Sequence, residues 1–119
     1  MNLPQAILGV GIGAYEDSDY LLTYSRKLED EVRTVAAAYG YPLEQLKRPH
    51  MGYRKVSRYS TLQDLDAGHH TEIDMFCGVL MQKAAAKHIA VPYAEGAYYL
   101  IKTLEEKNDG KFDYTEDET

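Results

Sequence analysis

The sequence predicts an all-α fold, a compact bundle of about five to six helices. Three observations carry this reading. Apolar residues recur at spacings of three, four and seven over long stretches, the period of an amphipathic helix. No stretch alternates apolar and polar residues convincingly enough to read as a strand. Helix start and stop residues bracket most of the periodic stretches. The chain has 119 residues, enough for one domain that buries roughly two thirds of its unfolded surface.

The elements follow in order. Leu3 to Ala14 reads as a helix, weakened by Gly9, Gly11 and Gly13. The longest helix should run from Ser18 to Tyr39, with Leu21, Leu28, Val32, Val35, Ala36 and Tyr39 on one face. Glu29 and Arg33 form an i,i+4 pair on its outer face. Gly40 followed by Pro42 stops it. Residues 41–59 read as a loop with a helical turn at Leu43–Leu46. A short helix follows at Thr61–Ala67, with Ser60 as N-cap, Gln63 completing a capping box and Gly68 as terminator. Glu72 to His88 should be helical, with Ile73, Phe76, Cys77, Leu80 and Ala84 buried and a capping box at Thr71-x-x-Asp74. Pro92 opens a last helix reaching Lys107, with Ala94, Ala97, Ile101 and Leu104 inside. The domain thus spans 1–107. Residues 108–119 carry few apolar side chains and many charges, and read as a frayed acidic tail.

Composition narrows the function classes. No apolar run approaches the roughly 20 residues of a membrane span, so no membrane partner is expected. Met1-Asn2-Leu3-Pro4 has no basic region and no cleavage site of the secretory kind. Cys77 is the single cysteine, which forbids an internal disulfide and fits a reducing, cytoplasmic setting. The net charge is −6, of which −5 lies between Glu105 and Thr119. That balance argues against general nucleic-acid binding. Lys47, Arg48, Arg54, Lys55 and Arg58, threaded with Tyr53 and Tyr59, form a local basic cluster. It reads equally as a holder for a phosphate or carboxylate and as a solvated loop.

Other candidate groups have plain structural readings. Gly9-Val10-Gly11-Ile12-Gly13 lacks the G-x-G-x-x-G spacing and the β-α-β context of a dinucleotide loop, so close helix packing is the better reading. His69, His70, Glu72 and Asp74 match no zinc spacing, and a solvated loop before a helix start explains them; no metal is expected. Cys77 lies on an apolar stripe, where a thiol is usually a small hydrophobe rather than a nucleophile. Ser60 suits an N-cap and Glu72 suits a first helical turn.

The string joining those two residues says more. Ser60-Thr61-Leu62-Gln63-Asp64, then Gly68-His69-His70-Thr71-Glu72-Ile73-Asp74, resembles the signature of the C-terminal domain of ketopantoate reductases (2-dehydropantoate 2-reductases). There the pattern is roughly S-S-x-L-Q-D, a spacer, G-R-x-T-E-I-D and a glycine a few residues on, here Gly78. Ile89-Ala90-Val91-Pro92 is similar to the family's G-I-x-x-P step. The run from Leu28 through Glu31-Val32 to Ala36-Ala37-Ala38-Tyr39-Gly40 is similar to its E-V-x-x-V-A-x-A-x-G helix. The resemblance extends over about residues 2–107.

The resemblance implies a helical C-terminal domain like those of 6-phosphogluconate dehydrogenase-like reductases. It implies a place in the reduction of 2-dehydropantoate to pantoate with NADPH, a step of pantothenate biosynthesis. Members pair this domain with an N-terminal Rossmann domain and react substrate in the cleft between them. By motif position Ser60 would hydrogen-bond the substrate. Glu72 would sit near substrate and the nicotinamide end of the cofactor. Asn2, opening Leu3-Pro4-Gln5-Ala6-Ile7, would be a further substrate ligand.

Departures from the pattern shape the expectation. The 119 residues contain no Rossmann domain and no counterpart of the family's catalytic lysine. His69 stands where arginine is usual and Tyr59 where the first serine is, so a fixed charge gives way to a titratable ring. The chain alone should therefore supply no catalytic group, bind no NADPH and reduce nothing. A Rossmann domain in cis or trans and a 2-keto acid are the implied partners. The alternative is a helical interaction module that self-associates, for example as a homodimer, through the face a Rossmann domain would cover. A stand-alone enzyme built on His69, His70 or Cys77 is disfavoured.

Overall fold

In a computed structural model, residues 2–43 and 60–115 are described here, without the side chains of Asn2 and Ser60. The helix expected from Ser18 to Tyr39 is α3, Asp19–Ala38. Ser18 caps it as expected, its Oγ accepting from Leu21 N–H at 3.2 Å. Gly40 ends it in the left-handed region at φ +84°, a conformation that a side chain resists. Its buried stripe is Leu21, Ser25, Leu28, Glu31 and Val35, whereas Val32 is exposed. Leu21, Leu28 and Val35 are thus buried as expected, and Val32 departs from the expected face because the Glu31 carboxylate holds the inward position beside it. Arg33 pairs with Asp30 rather than with Glu29.

The N-terminal segment is two helices, α1 at Asn2–Leu8 and α2 at Ala14–Asp17, where one was expected. Gly9 adopts φ +67° and its N–H returns to the Gln5 carbonyl at 2.8 Å, which closes α1. An added Cβ at Gly9 would meet nothing within 4 Å, so this glycine serves chain reversal, not close packing. Tyr15 of α2 folds back and its hydroxyl accepts from Gln5 N–H at 3.0 Å in the interior.

Helix α4 is described over Ser60–Asp66, with Ser60 already helical where it was expected to precede the helix as N-cap. Gly68 terminates it at φ +74°. The helix expected over Glu72–His88 opens with a π segment, Asp74–Gly78, before α5 at Val79–Ala86. A π turn is wider, so it advances fewer degrees per residue. Phe76 consequently lags behind Ile73 and swings outward, while Cys77 stays on the inner face. Phe76 is 58% exposed, contrary to the expected stripe. Helix α6 spans Pro92–Asn108, with proline in its first turn as expected.

Two apolar clusters form the core, and α6 threads both. Ala6, Leu62, Leu65, Ile73, Cys77 and Ile101 make one. Leu28, Val35, Ala84, Val91, Ala94 and Ala97 make the other. Leu3 and Ile7 of α1 pack against both clusters and join them. The all-α expectation is met: there is no strand among the described residues. The helical turn at Leu43–Leu46, apart from Leu43 itself, and the basic cluster from Lys47 to Arg58 lie outside the described residues. Asn108 closes α6 and its amide donates to the Leu65 carbonyl at 3.0 Å.

Candidate functional site

Asn2 and Ser60 are the first residues of α1 and α4, and Glu72 leads into the π segment. The residues just after them share one core cluster: Leu62 and Ile73 are buried in it, and Leu3 packs on it. Three element starts are thus arranged around one set of apolar contacts. Glu72 is exposed, and its carboxylate has no side-chain partner among the described residues. Its carbonyl accepts from Met75 N–H at 3.0 Å and Phe76 N–H at 3.2 Å, which makes it the leading edge of the helix.

The capping box expected at Thr71-x-x-Asp74 is half present. Thr71 Oγ1 accepts from Ile73 N–H at 3.2 Å. Asp74 does not reach back to Thr71. Its Oδ1 accepts from the Tyr98 hydroxyl at 2.6 Å and its Oδ2 from Lys102 Nζ at 3.1 Å. Glu105 of α6 takes over the return bond: its Oε2 accepts from Thr71 N–H at 2.6 Å and from Thr71 Oγ1–H at 2.7 Å. Lys102 also approaches Glu105 Oε1 at 3.4 Å. A residue on a separate helix therefore completes the cap.

Charge follows this geometry. Burial of Glu105 would raise its pKa, but the two Thr71 hydrogen bonds and Lys102 outweigh it and hold the carboxyl below the ordinary value. The Tyr98 and Lys102 hydrogen bonds lower Asp74 as well. The bond to Asp74 in turn raises Tyr98 and Lys102. Tyr98 is thus a donor held protonated by a carboxylate, not a primed acid.

Glu31 plays on α6 the part Glu105 plays on the π segment. Val91, the residue before Pro92, has no side-chain oxygen to cap α6. Glu31 Oε2 accepts from Tyr93 N–H at 2.9 Å and Oε1 from Ala94 N–H at 2.8 Å. Glu31, Tyr98, Lys102 and Glu105 were all missed by sequence reasoning. The available signal was a charged residue standing at an inward helical position, as Glu31 does between Leu28 and Val35.

The remaining candidates resolve simply. Cys77 is buried in the core, as expected, and burial with the nearby Glu31 charge pushes its thiol up to about 11. His70 Nε2 lies 2.6 Å from Asp109 Oδ2 at the end of α6, and His69 is exposed. Among the described residues no three His, Cys, Asp or Glu side chains gather as a metal site. No described helix is long and apolar enough to cross a membrane.

Comparison with known proteins places this arrangement. Solved structures with the same fold include a PanE/ApbA family ketopantoate reductase from Ralstonia eutropha JMP134 at 26% identity and TM-score 0.80, covering 91% of this chain and 38% of that one. D-mandelate dehydrogenase, solved with NADH and anilino(oxo)acetate, matches at 22% identity and TM-score 0.80, over 92% of this chain and 48% of its own. A dimeric ketopantoate reductase from Staphylococcus aureus matches at 16% identity and TM-score 0.74, over 90% of this chain and 39% of its own. The chain thus spans less than half the length of each. No curated protein sequence matches it. The family model described as the ketopantoate reductase PanE/ApbA C terminal matches residues 1–105. With that match over nearly its whole length, the chain belongs to the C-terminal domain family of PanE/ApbA ketopantoate reductases.

Proposed function

We propose that this chain is the substrate-side domain of an NADPH-dependent reductase of 2-dehydropantoate or a related 2-keto acid. The observation carrying the proposal is the family match over residues 1–105, combined with the motif string that sets Ser60 and Glu72 at two element starts. Asn2, Ser60 and Glu72 are the proposed substrate ligands, and Glu72 also faces the nicotinamide end of the cofactor. A helix N-terminus suits an anionic keto acid, because its free N–H groups point outward. Hydride transfer also needs a bound nicotinamide and a proton donor for the developing alkoxide. A Rossmann domain, in cis or in trans, supplies these. The setting is cytoplasmic, in pantothenate biosynthesis.

Two measurements test this. NADPH oxidation with ketopantoate, followed by absorbance, should show no turnover by this chain alone; turnover refutes the division of labour. Titrating ketopantoate into isotope-labelled chain should move the amide resonances of Leu3, Thr61 and Ile73 together. A half-site binds weakly, at about millimolar affinity. A titration that moves none of the three refutes the substrate-side reading.

A second reading is favoured by one observation. Met75, Phe76 and Val79, directly after Glu72, are 72%, 58% and 41% exposed. Such a face suits coverage by another protein surface. Self-association predicts a dimer in sedimentation at tens of micromolar, roughly, by affinity arithmetic. A clean monomer there counts against it.

A further inference from the structure

Three side chains of α6 and that of Asp109, the residue that caps its C-terminal end, hold the segment from His70 to Asp74. Tyr98, Lys102, Glu105 and Asp109 recur at spacings of four, three and four. Their partners run in the opposite order. Asp109 meets His70, Glu105 meets Thr71, and Lys102 and Tyr98 meet Asp74. Glu72 lies within this antiparallel rail and makes none of its contacts. Its side chain is exposed and makes no hydrogen bond or ion pair among the described residues, so its direction follows the backbone on either side.

Apolar packing would hold the segment as firmly. Replacing partly buried ion pairs by apolar residues is often neutral or stabilising. Apolar contacts do not, however, distinguish one register from the next. Directional bonds do, and Lys102 couples the two anchors by bridging Asp74 and Glu105. We propose that Glu105 and Lys102 are positioning residues for Glu72, fixing the register in which it is presented to substrate. The claim rests on the substrate-side role of Glu72 proposed above.

The test uses the full chain as wild type, Glu105→Gln, Lys102→Met and Lys102→Arg. Amide hydrogen exchange at Thr71–Asp74 is read against Ala97–Ile101, and ketopantoate is titrated into each protein. In Glu105→Gln and Lys102→Met, exchange at 71–74 should rise at least tenfold, while exchange at 97–101 holds. Their apparent Kd for ketopantoate should rise about tenfold, the scale seen when outer-shell partners of a ligand are removed. Lys102→Arg, which keeps the charge and the donors, should restore both. Unchanged exchange at 71–74 overturns the rail whatever the ligand does. Raised exchange with wild-type affinity overturns the positioning role alone. A wild type that ignores ketopantoate overturns the substrate-side reading, and the positioning role falls with it. Because Lys102 is part-exposed at the surface, its variants remain folded if Glu105→Gln does not.

Discussion

Replacing Glu31 by alanine should unseat the start of α6 and cost about 2–4 kcal/mol. Two N–H groups lose a charged acceptor, one on Tyr93 and one on Ala94. Ala94 is 1% exposed, so water cannot take over its N–H, and an orphaned buried donor costs about 1–3 kcal/mol. Tyr93 is more open, so its loss is nearer the 0.5–1.5 kcal/mol of an ordinary hydrogen bond. Glu31→Gln keeps one acceptor oxygen and should cost about half as much. With a urea m-value of about 1.5 kcal/mol/M, the alanine variant's unfolding midpoint should fall by about 1.3–2.7 M. Far-UV circular dichroism follows the transition. Val32→Ala, next along the helix and 41% exposed, is the control and should stay within about 0.5 kcal/mol of wild type. Equal midpoints for the Glu31 and Val32 alanine variants would refute the capping argument.

Three further outcomes are expected. Gly96 sits inside α6, and an added Cβ there meets nothing within 4 Å, so Gly96→Ala should raise stability by about 0.5–1 kcal/mol in the same urea assay. Asp74 and Glu105 have lowered folded-state pKa values, so their stabilisation is complete above about pH 4, the ordinary carboxylate value, and is lost as pH falls through the lowered ones. Acid unfolding of Lys102→Met should therefore be shallower over that window. The Cys77 thiol, pushed up to about 11, should resist a disulfide reagent at pH 8 in native protein and react at once in denaturant.

Much of the architecture was legible because it is governed by local chemistry. Ser18, Gly40, Gly68 and Pro92 act within a turn of their own position, and each starts or stops a helix where the sequence indicates. Helix faces were legible less well. Val32 and Phe76 are apolar yet exposed, since apolar character only favours burial and does not assign a direction. Glu31 and Glu105 are charged yet buried, and what stabilises them lies 62 and 34 residues away in sequence. No local pattern carries that information. The candidate site was found through its motif string, whereas spacing alone gave two caps. In the structure the cap before the π segment is Thr71, and the Glu72 side chain takes no part in it.

The π segment decides where the aim of Glu72 depends on counting. A helix that widens for one turn holds one residue more than an α turn would between the same two ends. Deleting one residue between Asp74 and Gly78 would let the backbone relax to ordinary α geometry. The two ends would keep their relation, and Glu72 would keep its azimuth. A residue deleted from α5 instead, where the helix has no surplus residue to give up, would turn all that precedes by about 100°. Every amino acid around the carboxylate would then be kept and its aim still be lost. The π segment is thus the place where a one-residue gap costs Glu72 least.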